Sequence, residues 1–471
     1  PADLTSCRLS GHVKIHLHHP HSMQSSPNTT ISAADRRHNQ RVILILVGML
    51  MLGLASIVWA LTWDIDAPDT TDLETPPALN MAGEDFYDVI KQIIYRVPYD
   101  DIRGAAVLFQ DARREGKWNQ AGADRLLRTE SATTLWPLID RALNAKRGRS
   151  DWGTMADHHI LYILSLSQFM GLHALDMAKH GNPDNALNEA LKILALGKRI
   201  SDSGTSVTDF LCAQTVQAIS ISCIRALAKE HSFSEAAMRH ALGEIRQNHL
   251  TARDAYEILR GEFALTNSFI KTLSNPENAK DLKINSMPVI KKIVFKKNLT
   301  QETYASHIRE IGTLLMGDYT VKNMADLTAR ATTQLSPTGY KRYINADGNY
   351  ISKLFEKEFN PGMRRWAEVE SSLSVAETFF ALRLYQLKNN GALPESLDLL
   401  VQTGHMPSIP KEYIDGQAIR YSKERRIVWT IGRNNWNPPF PQPDDGDYDA
   451  AESGIFRLDW PDRQTNPAGR R

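Results

Sequence analysis

Apolar and polar positions along this chain fall into three regimes. From Val42 to Trp63 (VILILVGMLMLGLASIVWALTW) twenty-two consecutive residues carry no charge. At about 1.5 Å per helical residue the run is long enough to cross a hydrocarbon layer of about 30 Å, and it predicts a membrane-spanning helix. Beyond it, apolar residues recur three and four apart. That spacing predicts helices over Glu84 to Tyr95, Ile102 to Glu115, Ser131 to Lys146, His158 to Lys179, Asn185 to Ile200, Val207 to Lys229, Ser234 to Gln247 and Thr251 to Leu273. Near the carboxyl end the period changes. After a long amphipathic helix, Glu368 to Asn389, Gly391 stops the helix and Pro394 and Glu395 open a short second one. Pro407 and Pro410 then force extension, Asp415-Gly416 is a hairpin-grade turn, and Ala418 to Ser422 and Arg426 to Ile431 read as strands. The predicted fold is mainly α: a single transmembrane helix, a body of helical hairpins and a small carboxy-terminal α/β module.

Charge orients the apolar run. Arg36, Arg37 and Arg41 precede it, while Asp64, Asp66, Asp69, Asp72 and Glu74 follow, so the positive side predicts a cytoplasmic tail over 1–41 and an extracytoplasmic remainder. This is the pattern of a single-pass protein of a bacterial inner membrane with a periplasmic body. A cleaved signal is the rival reading, but the run exceeds the usual apolar core of about seven to fifteen residues, and Ala60-Leu61-Thr62-Trp63 is a poor cleavage context. Trp59 and Trp63 suit the outer membrane–water interface. Met23 opens an ordinary polar, basic lead-in to an anchor. Residues 1–22 read either as an untranslated upstream extension or as a tract whose His12, His16, His18, His19 and His21 chelate a transition metal. The 55 basic and 54 acidic side chains nearly cancel, which argues against a nucleic-acid surface.

Past the anchor the organisation predicted is an acidic stalk rich in Pro and Thr over 64–83, a helical body over 84–365, the α/β module over 366–435 and a Pro-rich, acidic tail over 436–471. Within the body, Ala174, Gly181 and Ala186 are small where two antiparallel helices must approach, and Asn182, Pro183 and Asp184 supply the stop, the fixed φ and the next start. This stretch resembles one tetratricopeptide-type hairpin, about thirty residues long, with no second copy at that repeat's period. Stacked hairpins of this kind make grooves that bind peptides. A basic interval, Lys271 to Lys297, carries Lys280, Lys283, Lys291, Lys292 and Lys296 around Met287-Pro-Val-Ile. It reads as a solvated loop, or as a contact with an acidic partner or the outer leaflet.

The carboxy-terminal pieces Leu393 to Leu397, Pro407 to Pro410, Asp415 to Tyr421 and Trp429 to Asn434 resemble, in order and motif, the carboxy-terminal half of the major pseudopilins of type II secretion. They are equally similar to membrane-anchored bacterial proteins that borrow that module. The resemblance implies a helix backed by a small sheet, with a calcium ion often held behind it. Here some three hundred residues separate the membrane run from the module and the processed Gly-Phe leader is missing, a departure from filament-forming members. Asp444, Asp445, Asp447 and Asp449 supply the oxygen donors a calcium ion wants. They do not form an EF-hand: counted from Asp445, Ala450 stands where Gly is needed and Phe456 where Glu is needed. A solvated acidic loop is the other reading.

Candidate catalytic chemistry is sparse. Asp157-His158-His159 is similar to the short signature of one phosphoesterase group, but helical periodicity flanks it where strands are needed. His173 and His180 are spaced to share a helix face. Glu257 and Glu262 sit among large apolar residues, with Arg253 and Arg260 at helical spacing to pair with them. No Gly-rich phosphate loop, G-x-S-x-G elbow, H-E-x-x-H or paired-cysteine metal motif occurs. Cys212 and Cys223, eleven residues apart on one predicted helix, lie about 16 Å from each other and cannot bridge. The function expected is a non-catalytic, membrane-anchored scaffold or adaptor with a protein partner in the envelope. The alternative is an envelope hydrolase around His158, His159 and Glu262.

Overall fold

The computed structural model describes residues 47–56, 66–74, 83–146, 156–204, 206–273, 297–317, 319–320, 322–324, 360–431 and 454–458. Two compact units divide at Trp63 and Asp64. In the first, the described part is an exposed apolar helix, α1 (Val47–Ser56), inside the predicted membrane run.

The second unit is built almost wholly of helices: α2 (Phe86–Arg96), α3 (Tyr99–Arg103), α4 (Ala105–Glu115), α5 (Gln120–Leu127), α6 (Glu130–Asn144), α7 (Ala156–Lys179), α8 (Pro183–Ser203), α9 (Val207–Glu230), α10 (Glu235–Gln247), α11 (Ala252–Leu273), α12 (Lys297–Met316), α13 (Asn360–Lys388) and α14 (Asp398–Gln402). Their starts are written in the sequence. Asp85, Asn119, Thr129 and Ser234 each accept a hydrogen bond from a backbone N–H of the first turn, which satisfies a donor that no helical carbonyl reaches. Ser206 and Asp209 form a reciprocal capping box at α9.

The hairpin expected around Gly181 is present as α7 and α8. Gly181 takes φ +83°, Pro183 opens α8, and Ala174 and Ala186 are fully buried. α9 then packs against both helices, antiparallel to α8. Gly197 makes this approach close enough that a methyl group there would lie 2.7 Å from Gln217 Cγ and 2.9 Å from the Ala213 carbonyl oxygen. α7 from His159 and α9 are each long and apolar enough to cross a membrane. In this unit they are largely buried among other helices, and α9 buries Asp209, Gln214, Gln217, Ser220 and Ser222 besides its apolar residues.

α11 and α12 form a second antiparallel hairpin, with Phe263 stacked on Tyr304 at 5.1 Å. α13 packs on α9 and α10 along one face and carries the sheet on another. It begins at Asn360, eight residues before its predicted start, and closes through Asn390 and Gly391 at φ +52° and +85°. The sheet is antiparallel in the order β1 (Arg420–Ser422), β2 (Ile427–Trp429), β3 (Ile455–Arg457), with Tyr421 opposite Val428 and Val428 opposite Phe456. β1 and β2 are the two expected strands, shortened. β3 comes from the stretch read as a tail, and its Phe456 packs on Phe379 of α13 at 5.0 Å. Body and module share one hydrophobic core, because the module's long helix is also a core helix of the body.

Candidate functional site

Among the described residues, a cluster of buried polar side chains lies where the turn between α10 and α11 meets α13. Glu370, 1 % exposed, receives the Leu250 backbone N–H at 2.9 Å and lies 2.6 Å from His249 Nδ1. One helical turn on, twice over, Glu377 accepts from Arg246 Nε at 2.6 Å and stands 3.9 Å from His249 Nε2. Trp366, fully buried one turn before Glu370, donates its indole N–H to the Leu250 carbonyl at 2.8 Å. Its ring packs against Tyr413 and Tyr319, at 4.6 and 5.1 Å between centroids. Spacings of four and seven residues, one and two helical turns, put Trp366, Glu370 and Glu377 on one stripe of α13, so a single helix face grips the turn from both ends.

Electrostatics follow the geometry. Burial opposes the charged form of His249, but the charge of Glu370, the hydrogen bond to it and the charge of Glu377 outweigh that effect, so the imidazole pKa is raised. An imidazole with carboxylates facing both nitrogens is stabilised as a cation bridging two anions. General-base chemistry asks instead for a nitrogen directed at a substrate proton. Beside this joint, Lys198 of α8 binds Asp202 at 3.0 Å and Asp254 of α11 at 2.8 Å. Burial of its ammonium is more than offset by those two carboxylates, and its pKa is raised. α8, α10, α11 and α13 are thus cross-tied through charged side chains within a few turns.

A second cluster spans α6, α7 and α8. His173 stacks on Trp136 at 4.2 Å, and Lys192 bridges Asp140 and Glu189, both at 2.9 Å. Burial, outweighing nearby Glu189 and Asp176, keeps the His173 pKa low. Asp176 is the carboxylate between His173 and His180 on α7; His180 Nδ1 approaches it at 3.5 Å, and Gln120 of α5 donates to it at 3.2 Å. Spacings of three and four residues along α7 were the available signal for Asp176. Among the described residues no group of three His, Cys, Asp or Glu side chains is arranged to hold a metal ion.

The other sequence candidates are dispersed. His159 is half-buried on α7, and the Asp157 and His158 side chains lie outside the described residues. Glu262 of α11 caps α9 by accepting the Val207 N–H at 3.0 Å. Glu257 pairs with Arg260 at 3.0 Å, as its spacing predicted. Cys212 and Cys223 are free, buried thiols, each pushed up to about 12 by desolvation. Asp444, Asp445, Asp447 and Asp449, like the lysines between α11 and α12, lie outside the described residues. In the module, Glu412 is fully buried. It accepts from Thr430 Oγ1 at 2.6 Å, from the Ile431 N–H at 3.2 Å and from Arg420, which also reaches Asp415. Burial prevails over these partners and raises its pKa.

No family model matches this chain, and no curated protein or solved structure is significantly similar to it.

Proposed function

We propose that the chain is a single-pass protein of the bacterial inner membrane, anchored by 42–63, whose extracytoplasmic unit is a rigid scaffold or adaptor for another envelope component. The observation that carries this reading is the double use of α13. The helix backs the sheet through Phe379 and grips the α10–α11 turn through Trp366, Glu370 and Glu377. A binding surface on either part is therefore held in fixed geometry to the other, which lowers the ordering cost of engaging a partner. The charge step across 42–63 supports the anchor and its orientation. The polar side chains buried on α9 support its role as a core helix in place of a second span.

A periplasm-active reporter enzyme fused to the carboxyl end tests the topology: activity outside the cytoplasm is expected, and activity confined to the cytosol overturns the reading. Crosslinking the intact protein in its native envelope tests the adaptor role. Recovery of a discrete envelope protein is expected; recovery of the chain with itself alone overturns it.

A further inference from the structure

Residues 66–74, expected to belong to a stalk, are held by the α11–α12 hairpin. Thr71–Leu73 forms a 3-10 turn, and the Asp69 carboxylate accepts the Thr71 N–H at 3.1 Å. Leu73 is fully buried. Arg309 of α12 donates to the Asp72 carboxylate from Nε at 2.9 Å and from Nη2 at 2.7 Å, and Nη2 also reaches the Asp69 carbonyl at 2.6 Å. These hydrogen bonds hold the Asp72 carboxyl below its ordinary range. Arg260 of α11 meets the residue after Leu73. Its Nη2 donates to the Glu74 carbonyl, its Nη1 pairs with Glu257 at 3.0 Å, and its Nε, beside Nη2 in the guanidinium, is buried without a hydrogen-bond acceptor. Two arginines thus flank one apolar socket. Arg309 holds an anion by two parallel hydrogen bonds, whereas Arg260 faces a neutral carbonyl that leaves a buried donor unsatisfied.

We infer that this socket docks the free carboxyl terminus of a partner protein, of the form Asp-Leu-x with the terminal carboxylate on x, and that residues 69–74 occupy it in cis. The inference deepens the adaptor reading above and rests on it. Asp-Leu reproduces what Arg309 and the socket already hold. A terminal carboxylate in place of the Glu74 carbonyl adds the second oxygen that Arg260 Nε lacks and sets a negative charge against the guanidinium, the chemistry by which carboxyl termini are captured. The cis occupant is exchangeable because little holds it. Asp72 is 52 % and Arg309 35 % exposed, so their pairing is worth little in water, and the burial of Leu73 must offset the ordering of the backbone around it. Its advantage is the high effective concentration of a segment on the same chain. A ligand that satisfies both arginines overcomes that advantage by better contacts.

The test measures fluorescence anisotropy of two peptides against the full chain in detergent micelles. Both carry the sequence Asp-Thr-Thr-Asp-Leu-Glu of residues 69–74 with the dye at the amino end; one ends in a free carboxylate, the other in an amide. The cis occupant is weakened in Leu73→Ala and, separately, in Asp72→Asn, an exposed and nearly isosteric change that keeps the fold if Leu73→Ala does not. Expected results are binding of the free-acid peptide to both variants at least about tenfold tighter than to the unaltered chain, and at least about tenfold tighter than the amide, the return on one charge-assisted hydrogen bond. Arg260→Gln in the Asp72→Asn background removes the preference for the acid, and Arg309→Gln in that background weakens both peptides. Equal affinity for acid and amide overturns recognition of a carboxyl terminus. Absence of binding to Asp72→Asn at an unchanged unfolding midpoint overturns the docking site. Neither result depends on crosslinking in the envelope, so the site and the adaptor role fail separately.

Discussion

Replacing Glu370 by Gln tests whether α13 is fixed to the body by charge or by packing alone. Gln keeps the shape and an oxygen able to accept the Leu250 N–H, so the change removes chiefly the anion 2.6 Å from His249 Nδ1. A hydrogen bond to a charged partner contributes about 1.5–3 kcal/mol. Loss of one member of a fully buried ion pair costs about 3–5 kcal/mol. His249 is 21 % exposed and can shed its proton when its partner is lost, which places Glu370→Gln at the lower figure, about 2–3 kcal/mol at pH 6.

The pH dependence fixes the sign. His249 has a folded pKa raised above its ordinary 6.5, so the joint contributes fully below that value and its contribution is lost as pH rises through the folded pKa. Denaturant unfolding of the unaltered chain, Glu370→Gln, His249→Gln and the double variant, at pH 6 and again at pH 9, gives the coupling energy. A coupling of about 1.5–3 kcal/mol at pH 6 that shrinks at pH 9 is expected. A coupling below about 0.5 kcal/mol, within the additivity seen for independent sites, or one that does not change with pH, refutes the argument.

Three further outcomes follow from single contacts. Gly197→Ala is expected to destabilise by about 1–3 kcal/mol, because its methyl group meets the Ala213 backbone carbonyl at 2.9 Å and the helix-propensity gain of up to about 1 kcal/mol is smaller; a rise in the unfolding midpoint would contradict the close approach of α8 and α9. Phe456→Ala removes a ring that is 1 % exposed and packed on Phe379 and should cost about 3–5 kcal/mol; a cost below 1 kcal/mol would mean that β3 is not part of the folded sheet. Cys212 and Cys223, buried and with pKa about 12, should resist maleimide at pH 7 until the chain is unfolded, and labelling at the rate of an exposed thiol would place α9 elsewhere than the core.

Local signals and long-range contacts were unequally legible. The hairpin at Gly181, the stop at Asn390-Gly391 and the turn before β1 were readable because φ angles and caps are set by the residues that occupy them. Partnerships across the chain left weaker traces. Glu370 and Glu377 sit on an otherwise apolar stripe of α13, and a carboxylate at such positions is a mark of a buried partner, but nothing in the spacing names His249, some 121 residues away. β3 is three residues long, below the length at which alternation can be separated from chance. The segment Asp66 to Glu74 left a similarly weak trace: it has the composition of a spacer, while Leu73 is fully buried and Arg309 pairs with Asp72. A lone leucine in an acidic, Thr-rich run was its sequence trace. The joint, β3 and residues 66–74 are all sites where a distant segment completes the packing of α11, α12 or α13. Tertiary partners decide the outcome there, because each isolated segment buries too little apolar surface to order itself.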